Sequence, residues 1–186
     1  GTAPSDFIID YEISLYNLSE HRLIQSPENW TSFYVLQKKK KIILAGIHFH
    51  ISDSLASSPC RSPFGSVESS SNLQPIVLYQ FLEYIESALH RKGIKKIVIK
   101  NPPQIYHPDL QALLQTFLFN LDYQVINAEV SAVFTVNIPF HELSKGWEKR
   151  KRRQAEEKSF IMKQHSPDQL EEIYHFVLAR RQQKGY

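Results

Sequence analysis

Apolar residues recur along this chain with two periods, and the changes between them mark out the elements. FIIDYEISL (Phe7–Leu15) alternates imperfectly and predicts a strand. A turn over Ser26–Asn29 is followed by FYVLQ (Phe33–Gln37) and KIILAGIHFHI (Lys41–Ile51), two strands joined by a four-lysine link. Cations solvate a hairpin tip well, so the pair is expected to be antiparallel. From Ser52 to Asn72 the pattern dissolves into Ser, Pro and Asn, which predicts a long irregular loop.

The period then becomes helical. Leu78, Phe81, Leu82, Ile85 and Leu89 line one face of a helix, with Pro75 in its first turn and Gly93 at its end. IKKIVIK (Ile94–Lys100) is a short strand, ended at Asn101 by Pro102 and Pro103, which lack the donor a ladder needs. Leu110, Leu113, Leu114, Phe117, Leu118 and Leu121 make a second helical stripe, with Pro108 at its start. Tyr123–Ile138 reads as two strands or one bent strand, 144–158 as a basic helix and 159–164 as a strand. Ser166, Pro167 and Gln169 open a last helix with apolar Leu170, Ile173, Tyr174, Val177 and Leu178, closed by Arg180, Arg181 and Lys184 before Gly185. That stripe needs a partner surface, and we expect it to belong to the start of a second domain.

Composition narrows the class. Of 186 residues 42% are hydrophobic and 22% charged, as in ordinary globular domains, which excludes wholesale disorder. A single cysteine, Cys60, excludes an intrachain disulfide and a thiolate metal cluster and points to a reducing, cytoplasmic setting. No run approaches the roughly 20 apolar residues of a membrane span. The net charge of +3 conceals an asymmetry: Lys145–Lys158 holds seven basic and three acidic residues, and the rest of the chain 15 against 16. Lys149, Arg150, Lys151, Arg152 and Arg153 ring their helix, because successive residues turn about 100° apart. Such a run suits a solvated connector or contact with a polyanion such as tRNA.

The element order, a hairpin, a loop, a long helix, a strand, a helix and paired strands, resembles the GNAT superfamily of acyltransferases. SPFGS (Ser62–Ser66), RKGIKKIVIKNPPQIY (Arg91–Tyr106), WEKRKRRQAEEK (Trp147–Lys158) and DQLEEIYHFVLARRQQKG (Asp168–Gly185) resemble its Fem-type peptidyltransferase branch more narrowly. The likeness spans roughly residues 30–186. It implies an α+β fold, a three-layer α/β/α-like arrangement with a mixed, largely antiparallel sheet flanked by helices. It divides the chain into a GNAT-like domain (1–143), a basic connector helix (144–158) and the start of a truncated second domain (159–186). It implies transfer of an acyl or aminoacyl group to an amine, with acyl-CoA or aminoacyl-tRNA as donor. A small-molecule or peptidoglycan-precursor amine would be the acceptor, and a second domain or another subunit would cover the last helix. The superfamily's cofactor loop resembles Q/R-x-x-G-x-G/A, whose glycines let backbone N–H groups reach a pyrophosphate. ESSSNLQP (Glu68–Pro75) stands there without a glycine, so no cofactor is expected on this domain and the isolated chain is expected to be inactive. The alternative is a non-catalytic GNAT-like module that contacts RNA through the basic helix.

No catalytic residue is assigned; Glu68 is the best-placed carboxylate for accepting an amine proton, set against the ordinary fate of a Glu in a Ser-rich loop, which is solvation. Arg61, Phe64 and Gly65 are expected at the mouth of the sheet, as part of a substrate carboxylate or phosphate clamp or, the reading that loop exposure favours, with Arg61 simply solvated. Asn101 and Tyr106 follow a strand end, where α/β-type sheets place ligands, although Asn101 could equally cap the next segment and Tyr106 cover the core. His48 and His50 share a strand face, but no third ligand is near, so surface or edge positions are expected and no metal site.

Overall fold

A computed structural model describes residues 4–130, 142, 145–158 and 166–185. The chain forms two units, 1–131 and 132–186. The first holds strands β1 (Ile8–Ile9), β2 (Trp30–Gln37), β3 (Ile42–Ser52), β4 (Leu55–Ser58), β5 (Glu68–Ser69) and β6 (Lys96–Ile99), with helices α1 (Ser19–Gln25), α2 (Pro75–Arg91) and α3 (Pro108–Asn120). The second holds α4 (Gly146–Glu157) and α5 (Leu170–Gln183), the latter led in by a 3-10 turn over Pro167–Gln169. The described chain is therefore α+β, with a mixed six-stranded sheet flanked by helices.

β3 organises the sheet. β2 pairs with it antiparallel from Trp30↔His50 to Gln37↔Ile42, around the exposed lysine link, where Lys41 takes a left-handed φ of 52°. Three short strands share its other edge: β1 parallel at Ile42 and Ile43, β5 antiparallel at Ala45 and Gly46, and β4 antiparallel at His50–Ser52. β4 then pairs parallel with β6.

Because side chains alternate along β3, Ala45, Ile47 and Phe49 point one way and Gly46, His48 and His50 the other. The first face builds the core with Ala56, Val67, the Leu78–Leu89 stripe of α2, Ile94, and Leu114 and Leu118 of α3. The α2 stripe thus buries whole, while α3 buries Leu114 and Leu118 and packs Leu110, Leu113, Phe117 and Leu121 half-buried against the core. α2 stops at Gly93 (φ 82°), where the Ile94 N–H reaches Leu89 O and the Gly93 N–H reaches His90 O, while Ile94 and Leu89 both enter the core.

Several expectations need correction. The strand foreseen over Phe7–Leu15 is only Ile8–Ile9, because the chain then turns into a 3-10 segment (Leu15–Asn17) and α1, a helix the apolar pattern did not announce. The Ser52–Asn72 stretch is not irregular throughout: it contains β4, whose small residues Ala56 and Ser58 are buried, and the two-residue β5. His48 is neither a surface nor an edge residue, since β3 is paired on both sides and His48 is buried. Residues 123–130 form no strand, and the strand readings over 131–138 and 159–164 lie outside the described residues. Among the described residues no helix is long and apolar enough to cross a membrane, and no three His, Cys, Asp or Glu side chains cluster as metal ligands would.

Candidate functional site

The second face of the sheet is polar, and the N-terminal segment covers it. Register places Tyr34, Gly46 and Glu68 side by side across β2, β3 and β5, with Ser32 opposite His48 one step along. Gly46 has a steric reason to lack a side chain. A Cβ there would overlap the Tyr11 hydroxyl and press on the Tyr34 ring at 3.1 Å, so Tyr11 lies directly over the glycine.

Glu68 is largely withdrawn from solvent. Burial raises its pKa above the ordinary carboxylate value, opposed by hydrogen bonding from Ser14, by the nearby Asn17 side chain and by His107. The Ser14 N–H donates to Glu68 Oε1 at 2.8 Å. The Ser14 hydroxyl and the Asn17 amide nitrogen are themselves buried without completing a hydrogen bond of normal geometry. Burial also pushes the Tyr11 phenol upward, assisted by the negative charge of Glu68.

Further along the same face an Arg22 Nη1 N–H contacts His48 Nδ1 and donates to Ser32 Oγ at 3.1 Å, while Ser32 Oγ lies 2.8 Å from His48 Nδ1. A guanidinium has only donors, so Nδ1 is the acceptor and the neutral imidazole carries its proton on Nε2. Burial first, then the Arg22 charge, lowers the His48 pKa to about 3. The Tyr34 and Trp30 rings meet His48 and His50 edge-on.

The residues expected at the mouth of the sheet fall into two groups. Phe64 and Tyr106 come together at 5.7 Å, and Tyr16 packs on Phe64 at 4.8 Å, which makes an aromatic wall on segments that flank Glu68 and His107 in the chain. Gly65 is buried where a Cβ would stand 2.7 Å from Ser58 Oγ and 2.8 Å from the Pro59 nitrogen. Ser66 follows at φ 83°, a conformation that L side chains rarely adopt, and its hydroxyl donates to Asn101 Oδ1 at 2.6 Å. Arg61 is exposed and enters only through its backbone, whose N–H donates with that of Cys60 to Gln25 Oε1. Gly65 and Asn101 thus act as scaffold for the loop, and Phe64 and Tyr106 present ring surface.

In the second unit Lys149–Arg153 are all exposed on α4. Arg152 pairs with Glu156 at 2.9 Å, and Lys151 lies over the Trp147 ring at 5.0 Å. A shallow groove with mostly apolar walls follows α5 past Leu170, Ile173, Tyr174 and Val177.

Sequence reasoning missed Tyr11, Ser14, Asn17, Arg22, Ser32 and Tyr34, because their meeting depends on which strand edge the N-terminal segment crosses. One signal was present: a glycine inside the strand GIHFH marks a close approach of another group. Comparison with protein-family models, with curated proteins and with solved structures finds no match.

Proposed function

We propose that this chain is part of an N-acyltransferase of the GNAT superfamily, Fem-type branch, and that its polar sheet face holds the acceptor amine. The observation that carries the reading is Glu68. It is a half-buried carboxylate with a raised proton affinity on the short strand that leads into α2, close enough to the Tyr11 phenol for its charge to act on it. An amine must lose a proton as it attacks a carbonyl, and a base of raised pKa takes it more readily than an ordinary carboxylate. The amine nitrogen bonds to the donor's acyl carbon, the bond to the coenzyme A sulfur or the tRNA ribose oxygen breaks, and that atom leaves with the electron pair. Glu68 receives the amine proton. The Ser14 N–H holds the carboxylate by its Oε1.

The bend before α2 supports a donor held elsewhere. Its Ser70 hydroxyl and Asn72 amide turn to Asp10 Oδ2 at 2.7 and 3.5 Å, so a carboxylate of the chain itself stands near the helix start that a diphosphate would need. The test is titration of the chain with a panel of primary amines, following the Glu68 carboxyl carbon by NMR, beside an acetyl-CoA turnover assay. Saturable amine binding that Glu68→Gln abolishes is the expected result. The absence of amine binding, or clear turnover of acetyl-CoA by this chain alone, overturns the reading.

A second reading rests on α4. Four of its five consecutive cations lack an ion pair among the described residues, and the helix buries no side chain, so its charge is free to meet a polyanion. Filter binding of tRNA at two salt concentrations tests this: phosphate contacts predict a steep loss of affinity with salt. No binding at low salt removes it.

A further inference from the structure

We infer that Arg22, with Ser32 and His48, binds a single oxyanion group, a carboxylate or a phosphate, carried by a small ligand. The acyl-transfer reading gives Arg22 no task, and this site stands independently of it. A guanidinium remains cationic throughout the pH range of folded proteins. Here it is half-buried, and its Nε is buried without a hydrogen-bond partner. Its hydrogen-bonding and ring neighbours among the described residues are neutral: the imidazole of His48, the hydroxyl of Ser32 and the indole face of Trp30, whose centre is 6.0 Å from Arg22 Cζ. The exposed Glu20 carboxylate feels its charge from outside ion-pair distance.

No carboxylate lies within ion-pair distance of Arg22 among the described residues. Glu20, two residues away, is exposed and accepts from the Ser19 hydroxyl, and Glu68 accepts from Ser14. A cation drawn out of water among neutral acceptors is costly unless it is paired. The unsatisfied Nε belongs to the planar fork that receives a carboxylate or phosphate through two parallel hydrogen bonds. The neutral His48 supplies no counter-charge at contact distance, and an incoming oxyanion supplies one.

The experiment uses the full chain with labelled ring and guanidinium nitrogens, titrated with acetate and separately with inorganic phosphate at constant ionic strength. The expected result is a saturable shift of the Arg22 Nε–H and the His48 ring nitrogens, in the millimolar range, with one of the two anions. Saturation by acetate identifies a carboxylate, and saturation by phosphate a phosphate. Arg22→Gln removes the response, and Arg22→Lys, which keeps the charge but loses the fork, weakens it by about tenfold or more. If Arg22→Gln does not fold, Ser32→Ala serves, with a several-fold loss expected. Responses to both anions no larger than that to chloride overturn the inference, as does a saturable response that persists unchanged in Arg22→Gln or Ser32→Ala.

Discussion

At the scale of single residues the polar sheet face makes two measurable claims. The first concerns protons. His48 is held neutral down to about pH 3, against 6.5 for a free imidazole, so below pH 6.5 the unfolded chain takes up a proton that the folded chain refuses. Its contribution to stability is whole above pH 6.5 and is lost as pH falls toward 3, at up to about 1.4 kcal/mol per pH unit. Glu68 acts with the opposite sign. Its raised pKa makes the folded state the better proton binder above the ordinary carboxylate value, so its contribution falls as pH rises. Denaturant unfolding between pH 4.5 and 6.5 separates the two: His48→Asn flattens the acid-side loss and Glu68→Gln steepens it. An unchanged slope in both variants would remove the electrostatic account. The second claim concerns shape. Gly46→Ala drives a methyl into the Tyr11 hydroxyl and against Tyr34, and overpacking of this kind costs about 1–3 kcal/mol. The Tyr11→Phe background removes the overlapping oxygen, so the same alanine should cost clearly less there, and a double-mutant cycle reads the difference.

At the scale of elements, legibility followed the range of the interaction. The stripes of α2 and α3 were readable because i, i+3 and i+4 spacing is local, and every stripe residue of α2 is buried. The β2–β3 hairpin was readable for the same reason. β4 and β5 were not: they are four and two residues long and rich in serine, and they are strands only because β3 offers them an edge. Helix ends carry a further prediction. α3 finishes as α2 does, with the Tyr123 N–H to Leu118 O and the Asp122 N–H to Phe119 O, but Asp122 holds the left-handed position (φ 61°) that glycine fills in α2. An aspartate strains there where a glycine does not. Asp122→Gly is therefore expected to stabilise the protein by about 1 kcal/mol, and Gly93→Ala to destabilise it by a similar amount, both measured by urea unfolding. Equal midpoints for Asp122→Gly and the parent chain would contradict the cap assignment.

At the scale of the whole molecule the apolar residues divide unevenly. Every buried apolar residue of the described chain lies between Ile43 and Leu118, and the described part of α5 leaves Leu170, Tyr174, Val177 and Leu178 exposed. The helical pattern of α5 was visible in the sequence. The polar network of Tyr11, Arg22, His48 and Glu68 was not, because it joins positions up to 57 residues apart through sheet register, which a single sequence does not encode locally. The location of the core determines what holds the fold. A polypeptide ending at Ser131 keeps the six-stranded sheet, α2, α3 and the whole buried cluster, so it should unfold in one cooperative transition with a midpoint close to that of the full chain. Near-UV circular dichroism and urea unfolding of both forms provide the comparison. A loss of cooperativity in the shorter form would mean that residues after Ser131 complete the core, and would require the exposed stripe of α5 to be counted as part of it.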